Sequence, residues 1–130
     1  MADYTHMNLT EVKDSAPGFG ADEFQEARFA RQDLEAEQTG LSHIKVKPGK
    51  RMPFGHKHDE AEEIYVVIAG SGRIKLDDEV RDLRQWDIIR IGPGVMRNLE
   101  AGPDGITLVA FGAPLGEQSD GEIVPGWWED

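Results

Sequence analysis

Turn residues limit the length of everything this chain can build. Fifteen glycines and seven prolines are spread through 130 residues, and the apolar segments between them are only a few residues long. A stable helix needs about 12–15 residues, whereas a strand works at about five or six, so the punctuation favours strands. Residues 41–47 alternate, with Ile44 and Val46 on one face and His43, Lys45 and Lys47 on the other. Pro48-Gly49-Lys50 turns the chain into a strand over 51–58. Residues 64–69 form a continuous apolar run rich in β-branched residues, which predicts a strand buried on both faces. Gly70-Ser71-Gly72 reads as a turn into a strand over 73–76, and Asp77-Asp78-Glu79 as a hairpin tip before 80–84. Further strands are predicted over 87–91, 96–101 and 106–111, with Gly102-Pro103-Asp104-Gly105 as the turn between the last two. Strands recurring every ~8–12 residues with turns between them predict a sandwich or barrel.

Residues 22–38 are rich in Glu and Ala, but Phe24, Phe29 and Leu34 fall on no single helical stripe, so a strand is expected there too. The polar first two dozen residues, with Pro17-Gly18-Phe19-Gly20 among them, read as a loose arm. The expected organisation is an arm over 1–24, one barrel over 25–113 and a tail over 114–130. Trp127 and Trp128 interrupt that polar tail and are costly to expose, so it is expected to pack on the barrel or on a partner subunit.

Composition narrows the partners. A formal charge of −11 repels phosphate backbones and anionic lipid, which argues against nucleic acid and membranes. The chain contains no cysteine, and its first residues show neither a basic nor an apolar leader segment. Both features favour a reducing, cytoplasmic location.

One constellation carries chemistry: Gly55-His56-Lys57-His58-Asp59-Glu60-Ala61-Glu62-Glu63. Residues two apart on a strand share a face, so His56 and His58 point together, on the same side as Met52 and Phe54. Those apolar companions mark the face as interior. Two imidazoles and a carboxylate converging there suit a divalent transition metal such as Fe, Mn, Zn, Ni or Cu. Glu62 and Glu63 compete for the carboxylate position, since both faces of that strand are apolar. Arg97 shares a face with Leu99 and Ala101, opposite Asn98 and Glu100, and so also points inward.

His-x-His, four residues, Glu, six residues, Gly resembles the first motif of the cupin superfamily. Residues 86–97 are similar to its second motif, a Gly-Asp turn and an apolar strand leading through Pro-x-Gly to a fourth ligand histidine. The resemblance covers about residues 41–111. It implies an all-β, single-domain jelly-roll barrel, or double-stranded β-helix, with His56, His58 and Glu63 as metal ligands and Glu62 set aside. It implies a homodimer as well. Three positions depart from the pattern: Trp86 replaces the turn glycine, Gly92 replaces a proline, and Arg97 replaces the fourth ligand. A guanidinium offers only donors and cannot bind a metal.

Two readings of the site follow. Three protein ligands can hold the metal with open positions left for substrate, while Arg97 grips a small anionic molecule and Tyr65, Phe54 and Phe111 line the pocket. Alternatively no metal binds, and Arg97 pairs with Glu63 inside a non-catalytic, ligand-binding barrel. The first implies an enzyme, with oxygenase and isomerase chemistries both open; the superfamily's range of activities leaves the reaction unspecified.

Overall fold

The computed structural model describes residues 2–112 and 121–129. Among them eight strands run in chain order: β1 (Gln25–Phe29), β2 (Gly40–Val46), β3 (Phe54–His58), β4 (Glu63–Leu76), β5 (Glu79–Leu83), β6 (Ile88–Ile91), β7 (Arg97–Gly112) and β8 (Gly121–Pro125). All pair antiparallel. Their order is β1-β2-β7-β3-β8, with β4 pairing to β5, β6 and β7, so the sheet curls into a double-stranded β-helix.

The long strands β4 and β7 form the spine. Along its second half β7 pairs with β2, and near its start it pairs with β3, while β4 follows it throughout. Two segments read from sequence as turns, 70–72 and 102–105, are instead bends within these strands. The register between β4 and β7 shifts at Val67/Ala69 and again at Gly70/Gly72. Gly70 has φ 75°, and a Cβ there would fall on the backbone oxygen of Gly105; one at Gly72 would fall on that of Glu100. Glycine thus allows the two backbones to touch, and the bulges bend the strands without ending them.

The inner face packs Val46, Met52, Tyr65, Val67, Ile74, Leu83, Ile91, Leu99, Ala101, Ile106, Leu108 and Ala110 into one core. Each large aliphatic side chain buried there contributes about 1.5–3 kcal/mol. The apolar run of β4 is not buried on both faces as expected: Ile64 is 42% exposed, and Ile88 of the neighbouring β6 is 74% exposed. Only the inward residues Tyr65 and Val67 are in the core.

Both chain ends hold to the barrel. The segment expected to be a loose arm contains two short 3-10 turns, Leu9–Glu11 and Ala16–Phe19, and buries Val12, Ala16 and Ala21. The Asp14 carboxylate accepts hydrogen bonds from the backbone N–H groups of Ala16 (3.0 Å) and Ala27 (2.9 Å), which ties this segment to β1. At the other end, β8 adds to the edge of β3, with Ile123 opposite His56. Trp128 is buried beneath the Arg51 guanidinium, 4.3 Å from its ring, and Arg51 also donates to the Trp128 carbonyl (2.7 Å). The tryptophans therefore lie on the barrel itself. The boundary between residues 113 and 114 lies outside the described residues. Among those described, no helix is long and apolar enough to cross a membrane.

Candidate metal centre

The strand pattern and the cross-strand register bring four polar side chains to one place. His56 and His58 alternate inward from β3, Glu63 begins β4, and Arg97 begins β7 directly opposite His56. The competition between the two glutamates is resolved by their directions. Glu62 turns outward to the exposed Arg90 (3.7 Å), while Glu63 turns in. His56, His58 and Glu63 each offer a ligand atom, and these atoms lie within 4.8 Å of one another. The histidine rings meet edge to face, with centroids 5.6 Å apart.

Glu63 is held by one oxygen. Its Oε1 is 3.2 Å from His58 Nε2 and accepts from Arg97 Nη2 at 3.0 Å. Burial pushes the Glu63 carboxyl up, but the His58 hydrogen bond and the Arg97 charge outweigh it and hold the pKa below the usual 4.5. The carboxylate therefore stays ionised at neutral pH. His56 behaves in the opposite sense. Burial, then the neighbouring Arg97 charge, lowers its pKa from 6.5 to about 4, against the pull of Glu63. A neutral imidazole beside an ionised carboxylate is the protonation state that metal ligation requires. His56 Nδ1 is buried with no hydrogen-bond partner among the described residues. A donor set of two imidazoles and a carboxylate with an unanswered ring nitrogen fits a borderline divalent ion.

Of the two roles read for Arg97 from the sequence, the structure shows the pairing with Glu63. The side chain exposes none of its surface, Nη1 donates to the Val95 carbonyl (2.8 Å), and Nη2 is committed to Glu63. A guanidinium so enclosed and committed does not grip a substrate anion in this arrangement. Its inward direction is as the alternation implied, and Leu99 and Ala101 are buried with it. Asn98, on the opposite face, is buried as well, because its amide donates to the Met52 carbonyl (3.2 Å).

The three expected pocket walls separate. Tyr65 is buried, with its hydroxyl 3.5 Å from His56 Nε2. Burial, then the Glu63 charge, raises its pKa, so the phenol keeps its proton. Phe54 packs toward the His56 ring, with centroids 6.3 Å apart. Phe111 is a correction: it pairs in register with Ile64, shares the outer face and is 43% exposed, one residue out of phase with the buried Ala110. His43, on the face it shares with Lys45 and Lys47, is half-buried, and its Nδ1 has no partner among the described residues.

Sequence reasoning missed Phe19, and it placed Trp127 on the barrel or a partner without its position beside the histidine strand. Phe19 of the N-terminal segment packs edge-on against Phe54 at 5.9 Å. An aromatic between two glycines was the available signal. Trp127 stacks against Gly55, which directly precedes His56, and that glycine has no room for a Cβ.

Several solved structures share this architecture. A cupin protein from Bacteroides fragilis aligns with TM-score 0.71 and 24% identity, covering 91% of this chain and 90% of its own. The polyketide cyclase RemF from Streptomyces resistomycificus aligns with TM-score 0.73 and 22% identity over 98% of this chain and 89% of its own. Oxalate decarboxylase from Bacillus subtilis aligns with TM-score 0.75 and 17% identity; this chain spans 33% of that protein's length and is covered over 94% of its own. No protein-family model matches the chain, and no curated protein matches it in sequence. At these identities the likeness establishes the fold: this is a cupin-type double-stranded β-helix.

Proposed function

We propose that this cupin-fold barrel is a metal-dependent enzyme acting on a small anionic molecule, with His56, His58 and Glu63 as its metal ligands. The observation that carries the reading is their convergence within 4.8 Å. His58 and Glu63 keep 23% and 17% of their side-chain surface exposed, so the cluster can be reached from solvent, unlike Arg97. A bound divalent ion supplies Lewis acidity toward a substrate oxygen, or a site for dioxygen. Fe, Mn, Zn, Ni and Cu all suit the donors.

The chain's own residues have separate tasks. His56 stays neutral to donate a lone pair, Glu63 stays ionised, and His58 offers the second imidazole. Phe54 supplies an apolar wall, and the Tyr65 hydroxyl faces His56 Nε2 at 3.5 Å. The preference for an anion follows from charge. Arg97 already answers the Glu63 carboxylate, so a divalent ion brings two uncompensated charges that an anionic ligand neutralises. That two fold relatives carry enzyme names, polyketide cyclase and oxalate decarboxylase, is consistent with catalysis.

The Arg97–Glu63 pair at 3.0 Å favours a second reading, a metal-free binding module. Thermal melting of metal-free and metal-loaded protein against a panel of small carboxylates and phosphates separates the two. Stabilisation by a panel member in the loaded protein alone is the expected result. Equal stabilisation of the metal-free protein would replace the enzyme with the binding module.

A further inference from the structure

Three observations at Arg97 belong together. The register places residue 97 directly across β3 from His56. Its guanidinium reaches past that position to the Glu63 carboxylate, 3.0 Å away, and exposes no surface. Its Nε is buried without a partner, so the side chain accepts a cost to hold this position. A largely enclosed carboxylate is favoured by a nearby cation, and here one is built into the chain.

Resting on the metal-centre reading, we infer that Arg97 is an internal counter-ion that competes with the metal for Glu63. It keeps the barrel stable when the centre is empty, and it weakens and makes reversible the binding of a divalent ion. Arg97 is a positioning residue in this scheme, since it acts on the ion through Glu63. Two consequences follow from charge alone. Removing the guanidinium leaves Glu63 without its permanent cation, so the metal-free protein becomes less stable and an incoming cation binds more tightly. Placing a histidine at 97 removes the competitor and adds a donor on the same face as His56.

The test is calorimetric titration of Co2+ into full-length protein, with melting curves in its presence and absence, for the parent, Arg97→His and Arg97→Met. At least tenfold tighter Co2+ binding is expected in both variants. Metal-free Arg97→Met should melt below the metal-free parent, with the loss restored by Co2+. Binding no tighter than the parent's in either variant would overturn the inference, as would a metal-free Arg97→Met that melts with the parent. If neither variant folds even with Co2+, Arg97 is a structural cation only and the inference also fails. A parent that takes no Co2+ while Arg97→His does leaves the inference standing and removes the metal-dependent function. Equal affinity in the two does the reverse.

Discussion

Glu63 answers to both His58 and Arg97 through a single oxygen, and most of the local chemistry follows from that. Truncating it to Ala leaves Arg97 buried beside no anion, a situation that costs about 3–5 kcal/mol when one partner of a buried pair is removed. A fall of that size in urea-unfolding stability for metal-free Glu63→Ala is expected; a loss under about 1 kcal/mol would mean the pair contributes as little as an exposed one. His56 makes a separate, pH-dependent contribution. Its folded pKa, about 4, lies below the ordinary 6.5, so between those values the unfolded chain binds a proton that the native chain refuses. Stability is therefore full above pH 6.5 and falls as pH drops toward 4, by up to about 3 kcal/mol from this residue. The Glu63 contribution fades at lower pH, below its ordinary 4.5, as the folded carboxyl begins to protonate. Unfolding midpoints at pH 7 and pH 4.5 should show the loss in metal-free parent and less of it in His56→Phe. An equal loss in both would place the acid sensitivity elsewhere.

At the scale of elements, positive-φ positions decide what was legible in the sequence. The alternation in β2 and β3 and the inward pairing of His56 with His58 could be read directly, because period two needs no tertiary information. The bulges could not, since Gly70-Ser71-Gly72 is a turn signal whether the chain reverses or only bends; the deciding fact is the close approach of β7, which is tertiary. Phe111 was misplaced for a related reason. A strand apolar on both faces gives no parity signal, and only the pairing with Ile64 turns it outward. The packed N-terminal segment was hidden because its contacts rest on small residues, Ala16 and Ala21, and on one carboxylate, Asp14. Trp86 departs from the resemblance in a way that the backbone explains. It sits at φ 73°, where a glycine is favoured, and the residue is 67% exposed. Relief of left-handed strain makes Trp86→Gly stabilising by up to about 1 kcal/mol, readable as a raised melting temperature. A lowered one would show that the exposed indole makes a contact worth more than the strain.

For the whole molecule, the two ends of the chain converge on the strand that carries the histidines. Phe19 from one end packs on Phe54, and Trp127 from the other fills the space beside Gly55. Gly55→Ala should therefore displace Trp127 and loosen β8. In a Trp86→Phe background, where the remaining tryptophans are Trp127 and Trp128, the displacement is expected as a red-shifted emission. Unchanged emission would show that the tail does not depend on Gly55. The outer sheet face carries exposed Ile64, Phe111 and Ile88 side by side on neighbouring strands. The homodimer expected from the cupin resemblance would bury this face. Sedimentation across a wide concentration range tests it, with Ile88→Asp returning the dimer to the 14.4 kDa monomer; a parent that is monomeric throughout removes the dimer from the account.

The central claim is that His56, His58 and Glu63 hold a divalent ion. Elemental analysis tests it most directly, on protein purified without a metal-affinity tag, then incubated with Fe, Mn, Zn, Ni or Cu and desalted. Close to one ion per chain in the parent and none in the His56→Ala, His58→Ala double variant is the predicted result. A parent that stays empty after every incubation, or a double variant that loads as fully as the parent, would contradict it.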